Sequence, residues 1–320
     1  MNTICRWMAA VLLGVAGTAL AQDKVNLSIA TGPTGGVYYP LGGGIANILS
    51  KYVPGYSANA EATAGSVANL QLMMQKKSDL ALSMADAAWD GYKGQGKFSG
   101  APVPVRTLMV AYPNRMHIVT VEGRGIQTLA DLKGKRVSTG APNSATELMA
   151  FRVCEAAGID PEKDFRRERL TPEKSADAIK DNKLDAFFWV GGLPTASVTD
   201  LAATPGIKIK LIDHADVVEK MNQKYGQLYV RDTIPAKTYP GQDTTNHIAT
   251  VWNLIVARAD MPEAIAYNIV KTIFEKRDEL IKVHGEARNF DLKYQSNAAT
   301  PIPYHPGAAK YFAEKGIKLN

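Results

Sequence analysis

Cysteine is nearly absent from this chain, and that scarcity excludes whole classes of architecture. Only Cys5 and Cys154 occur. Cys5 sits in an N-terminal stretch with the form of an export signal: Arg6 supplies the positive end, Met8 to Gly17 is apolar, and Ala19-Leu20-Ala21 has the small-x-small pattern of a cleavage site. Cleavage after Ala21 is expected, with Gln22 as the mature start and the periplasm as the destination. Cys154 then stands alone, which leaves no intramolecular disulfide and no multi-cysteine metal site. Cys5 is not at the cleavage point, so no lipid tether is expected.

Long apolar runs are missing as well. The N-terminal stretch is shorter than the roughly 20 residues a membrane span needs, and nothing after it comes close, so a soluble mature protein is expected. Catalytic signatures are also wanting: there is no Gly-x-Ser-x-Gly, no Ser-x-x-Lys, no His-Glu-x-x-His and no Gly-x-x-x-x-Gly-Lys-Ser/Thr. His117, His214, His247, His284 and His305 are scattered without metal-ligand spacing. The expectation is a non-enzyme without metal or cofactor. The formal charge is +6, with lysines spread along the chain rather than gathered in the basic stripe that nucleic acid requires. No nucleic-acid partner is expected, and a mildly positive field favours anionic ligands.

What is present is an alternation of short β-rich runs with helical patterns, the mark of an α/β chain with mostly parallel sheets. The length supports two medium domains. Val25 to Ala30 reads as a strand, and from Gly36 to Val53 the apolar Leu41, Ile45, Ile48, Leu49 and Val53 recur at helical spacing. Asn59 to Ala62 reads as a strand, Val67 to Lys76 as a helix and Leu80 to Met84 as a strand. Leu108 to Tyr112 and Ile118 to Glu122 read as two strands with an exposed loop between them. Ser144 to Ala157 is a helix with Ser144 and Glu147 as a capping box and Gly158 just past its end. Ala186 to Val190 is an apolar strand, Ile248 to Ala257 another apolar run, and Pro262 to Val283 and Pro306 to Lys315 are helical. Gly42-Gly43-Gly44 lies inside a helical pattern and suits close helix packing better than a nucleotide cradle.

Five junctions join a strand end through a Gly/Ser/Thr-rich turn to a helix start: around Thr34-Gly35-Gly36, Gly65-Ser66, Met84-Ala85-Asp86, Asn143-Ser144 and Trp189-Val-Gly191-Gly192. Each helix start leaves unpaired N–H groups and a fractional positive charge, so a carboxylate placed there gains several donors without an arginine. In open α/β sheets such junctions gather at the ligand crevice. Each Ser or Thr taken alone is more often a plain helix cap than a ligand contact. Tyr38, Tyr39 and Trp89 suit a core as well as a pocket, and Asp86 reads either as an N-cap or as an acceptor for a ligand ammonium or hydroxyl.

The sequence resembles the TAXI group of TRAP-transporter solute receptors. The resemblance rests on Thr34-Gly-Gly-Val-Tyr-Tyr-Pro-Leu-Gly-Gly, Ala64-Gly-Ser-Val-Ala-Asn-Leu, Asp131-Leu-Lys-Gly-Lys-Arg-Val, Leu184-Asp-Ala-Phe-Phe with Gly191-Gly-Leu-Pro194, Ile234-Pro-Ala-Lys-Thr-Tyr-Pro-Gly-Gln and His305-Pro-Gly-Ala. It implies a type II periplasmic-binding-protein fold: two lobes and a hinge, with residues 22–110 and 220–320 as lobe I and 111–219 as lobe II. It further implies capture of glutamate, glutamine, 2-oxoglutarate or a related carboxylate or amino acid by a monomer, and delivery to the integral-membrane subunits of a TRAP permease. A periplasmic sensory component that passes occupancy to a membrane kinase is the competing role. Ligand contacts carried over by motif are Thr34, Gly35, Gly36, Tyr38, Ser66, Asn69, Asp86, Ser144, Thr146, Trp189, Gly191 and Gly192. Asn114-Arg115 departs from the family pattern, and Arg115 either pairs a second carboxylate or lies on the surface.

Overall fold

A computed structural model of the protein describes residues 24–295 and 300–319, so the stretch expected to be an export signal lies outside the described residues. Its elements run β1 (Val25–Ala30), α1 (Tyr38–Tyr52), β2 (Tyr56–Glu61), α2 (Ser66–Met74), β3 (Leu80–Met84), α3 (Ala85–Lys93), β4 (Val105–Val121), β5 (Arg136–Ser138), α4 (Ala145–Ala156), β6 (Arg166–Glu168), α5 (Pro172–Lys180), β7 (Ala186–Gly191), α6 (Ala196–Ala202), β8 (Ile209–Leu211), α7 (Val218–Tyr225), β9 (Tyr229–Ile234), β10 (Asn246–Arg258), α8 (Glu263–Glu275), α9 (Arg277–Val283) and α10 (Pro306–Glu314).

Strands follow one another in the order β2-β1-β3-β10-β4-β7-β5-β6, with β8 beside β4 and β9 beside β10. The flanks are parallel: β1 with β2 and β3, and β5 with β6 and β7. Between them, β4 and β10 run antiparallel to their neighbours. β4 changes partner along its length, pairing β10 up to Arg115 and β7 from Arg115 onward. β10 does likewise, pairing β9 over Asn246 to Val251 and β3 over Asn253 to Ala257. Two long strands thus tie the two halves of the molecule together.

The helices form where the sequence supplies an apolar stripe and a stop. In α1 the buried face is Leu41, Ile45, Ile48 and Leu49, together with Gly42 and Gly44. A Cβ on Gly42 would come within 2.3 Å of the Thr31 side chain, so the glycine lets the helix lie close against the end of β1. Helix α4 starts on Ser144, whose Oγ accepts from the Glu147 N–H at 3.1 Å, and Gly158 takes the positive φ of +73° that follows a helix end. The return half of the capping box is absent, because the Glu147 carboxylate accepts from Arg167 and Arg169 instead.

The loop expected between Leu108–Tyr112 and Ile118–Glu122 is not there. One 17-residue strand crosses the region, and Asn114, Met116 and His117 within it are buried. Pro113 suggests a turn because it cannot donate to a ladder, but here it lies opposite Trp252 beside a register shift, the kind of irregularity where a missing donor is tolerated. The helical stretch Pro262 to Val283 is divided between α8 and α9 at Lys276.

Candidate functional site

The starts of α1, α2 and α4 converge on one cleft. Pro33, Gly36, Val37 and Tyr38 approach from the first turn, Ala64, Gly65 and Ser66 from the second, and Ser144, Ala145 and Thr146 from the third. Met84 closes one side, Trp189, Val190 and Gly191 another, and Tyr112 and Asn114 of β4 form the floor. These residues enclose about 370 Å³ of atom-free space, part of it continuous with solvent. Among the described residues no Asp, Glu, Lys, Arg or His lines it. Positive potential therefore comes from first-turn amides, which have no partners inside their own helices.

Of the residues expected at the site, Gly36, Tyr38, Ser66, Ser144, Thr146, Trp189 and Gly191 line this cavity. Their hydrogen bonds set what each can offer. Ser66 Oγ accepts from the Met84 N–H at 3.0 Å and retains its own proton to give. Thr146 Oγ1 accepts from the Val190 N–H at 3.4 Å, across from the start of its own helix. The Ser144 hydroxyl donates to the Ala141 carbonyl at 2.7 Å and caps α4, so it is a structural cap at the cavity wall. Trp189 donates its indole N–H to Thr195 Oγ1 at 3.0 Å and turns its six-membered ring toward Gly36, where a Cβ would meet it at 3.0 Å. Tyr38 donates its hydroxyl to Asn253 Oδ1. Burial holds the Tyr38 and Tyr112 hydroxyls well above the usual phenol range, so both stay protonated.

Thr34, Gly35, Asn69, Asp86 and Gly192 do not line the cavity. Thr34 is exposed. The Gly35 N–H donates to the Glu173 carboxylate of α5, which fills that turn with a carboxylate of the protein's own. Asn69 is consumed by the backbone: its amide donates to Thr31 O at 2.6 Å and Leu82 O at 2.8 Å, and it stitches α2 to β1 and β3. Asp86 accepts from Tyr229 Oη at 2.8 Å and lies 3.7 Å from Arg152, which in turn donates to Asp90 at 2.5 Å. That network joins α3, α4 and β9, and Asp86 is no acceptor for a ligand. Gly192 packs against Tyr112 and Glu286. Tyr39 is exposed, and Trp89 stacks on Tyr92, so neither reaches the cleft.

Arg115 is half-buried and paired, and it does not line the cavity. Its Nε lies 3.0 Å from Asp232 and its Nη1 3.2 Å from Glu286, with 17% of the side chain exposed. Glu286 also accepts from the Leu193 N–H at 2.6 Å, so the ion pair braces the turn after β7.

Two residues at the site went unread in the sequence. Tyr112 and Asn114 are 0% and 2% exposed, and Tyr112 Oη and Asn114 Oδ1 are buried with no hydrogen-bond partner. A buried polar atom without a partner carries a desolvation cost, and such atoms mark places where a ligand or water completes the bond. The register shift between Trp252 and Leu254 places an extra β4 residue in just this stretch, and bulges re-aim side chains. The available signal was the apolar-polar run Tyr112-Pro-Asn114 itself, which resembles a turn.

The sequence matches the NMT1-like family over residues 29–316. Its fold is similar to that of a protein from Bordetella bronchiseptica RB50, at 17% identity over 91% of this chain and 89% of that one, with a TM-score of 0.52. It is also similar to a putative L-cystine ABC transporter protein from Listeria monocytogenes, at 16% identity over 81% of this chain and 94% of that one, with a TM-score of 0.50. The periplasmic aliphatic sulphonate binding protein SsuA from Escherichia coli aligns at 15% identity over 91% of this chain and 84% of that one, with a TM-score of 0.47. The chain belongs to the NMT1-like family and has a mixed α/β, two-lobe type II fold, similar to the folds of the Bordetella and Listeria proteins.

Proposed function

We propose that the protein is a non-catalytic periplasmic receptor that closes on a small organic anion, a carboxylate, and hands it to the integral subunits of a TRAP-type permease. The observation that carries this reading is the cation-free cavity at which three helix starts meet. Such a seat stabilises one negative charge through fixed N–H dipoles. The TRAP assignment draws on the sequence stretches that resemble TAXI receptors, and the similarity to the Listeria ABC transporter protein favours transport in general.

In this reading the lobes part near residue 110, and β4 and β10 act as the hinge. Packing of Ile234, Tyr239 and Ile248 with Val119 and Phe187 supports placing the second crossing within β10 rather than at residue 220. Closure is supported by bonds from one half to the other: Ala68 N–H to Asn143 O at 3.0 Å, Gly35 N–H to Glu173, and Ser197 N–H to Gly35 O at 3.4 Å. A hinge rotation that breaks these would open the cleft and let ligand in.

Thermal unfolding of the mature chain with a panel of C4 and C5 acids and amino acids tests the reading. At least one carboxylate raises the midpoint in a concentration-dependent way. A panel in which none does so removes the function proposed. Native mass spectrometry of unrefolded protein would show a retained metabolite directly.

A further inference from the structure

The cavity offers more than a seat for one charge. Two of its lining residues on the same strand, Tyr112 and Asn114, each carry a buried polar atom without a partner, Tyr112 Oη and Asn114 Oδ1. The Asn114 oxygen is an acceptor that lacks a donor. The Tyr112 hydroxyl, kept protonated by burial, is a donor that lacks an acceptor. An alcohol group is both donor and acceptor, so it matches either need. A keto oxygen would serve Tyr112 and leave Asn114 unmet.

An ammonium fits poorly here. The two carboxylates nearest in chemistry are already spent: Asp86 on Tyr229 and Arg152, and Glu286 on Arg115, Asn289 and the Leu193 amide. Aromatic faces such as Trp189 repay only part of the cost of stripping water from a cation. A second carboxylate fits no better, since no cationic side chain lines the cavity and the helix starts serve one charge. Met84, Val37, Val190 and the ring of Trp189 leave an apolar body as the third requirement.

Resting on the receptor reading above, we propose that the cleft selects a small hydroxy monocarboxylate with an apolar body, and that Tyr112 and Asn114 recognise its hydroxyl. Zwitterionic amino acids and dicarboxylates are disfavoured by the same residues.

Isothermal titration of the mature chain with matched probes tests this: 2-hydroxy-3-methylbutanoate, 3-methylbutanoate and valine as one set, 3-hydroxybutanoate, butanoate and 3-aminobutanoate as another, and glutarate as the dicarboxylate. In at least one set the hydroxy acid binds about ten-fold or more tighter than its deoxy and amino counterparts, and tighter than glutarate. Tyr112→Phe and Asn114→Ala each reduce that preference to about three-fold or less. Asn114→Asp shifts preference toward the amino counterpart, a gain that misfolding cannot produce. Equal binding of hydroxy and deoxy acids would mean the two atoms hold only water and would overturn the proposal. Tighter binding of valine, 3-aminobutanoate or glutarate overturns it too, while leaving the carboxylate receptor standing. If no carboxylate binds, both fall.

Discussion

Tyr38 and Tyr112 meet edge to face at the cavity, with ring centroids 6.4 Å apart and planes at 82°, yet their hydroxyls differ: that of Tyr38 donates to Asn253 and that of Tyr112 has no hydrogen-bond partner. Asn253 holds both residues, accepting from the Tyr38 hydroxyl and donating to the Tyr112 carbonyl at 3.2 Å. The ring pair is thereby fixed from β10 while one phenol stays available.

Asn253→Ala would strand the Tyr38 hydroxyl and the Tyr112 carbonyl in a buried setting. The expected cost is about 2–6 kcal/mol, at about 1–3 kcal/mol per unmet group. Urea unfolding checks it; a change below about 0.5 kcal/mol would show that the pair is held by packing alone.

Arg152 is the hub of a network that includes Asp86, Asp90 and Tyr229, with only 7% of its side chain exposed. Arg152→Met leaves two buried acids without their cation, which costs about 3–5 kcal/mol. Asp86→Asn and Asp90→Asn added to Arg152→Met should restore much of the loss, because no uncompensated charge remains. Chemical denaturation of the two variants at neutral pH decides it.

His117 and His214 are both buried, and burial lowers each from 6.5 to about 4. Both therefore stay neutral in the fold, His117 donating from Nδ1 to the Arg115 carbonyl at 2.9 Å and accepting at Nε2 from the Tyr239 hydroxyl at 2.8 Å. Below pH 6.5 the unfolded chain binds protons that the folded chain does not, so stability present above that pH is lost as pH falls toward 4. The slope is up to about 1.4 kcal/mol per pH unit for each histidine. His117→Gln should flatten the wild-type slope between pH 6.5 and 4 by about one proton, read from urea midpoints across that range. An unchanged slope would show that His117 does not titrate on unfolding.

Glu173 reaches across to the Gly35 amide, and a Cβ on Gly35 would fall 2.6 Å from that carboxylate. Glu173→Ala removes a bond that exists only when the halves are together. It should speed ligand release several-fold with an association rate nearly unchanged, as interface losses commonly appear in dissociation. Stopped-flow tryptophan fluorescence provides the measurement, with Trp189 beside Gly36 as reporter.

Much of the fold was open to inspection in the residues. The alternation that defines β1 and β3 and the Ser144 cap of α4 are local features, and local features leave local signals. The site was harder. Asp86 and Asn69 stand at helix starts just as a ligand contact would, but their partners, Arg152, Tyr229 and the carbonyls of β1 and β3, come from distant stretches of chain. Tyr112 and Asn114 were obscured for the opposite reason. Pro113 imitates a turn, and only pairing with Trp252 from 139 residues downstream turns that stretch into a strand floor.

β4 exchanges β10 for β7 at Arg115, the residue next to Asn114. If β4 is the hinge and Asn114 the recognition group, as proposed above, pivot and contact share one peptide bond, and a twist that spreads the halves would swivel the Asn114 amide in the same stroke. Grip and shape would then be geared together, so that opening the jaws also releases the cargo.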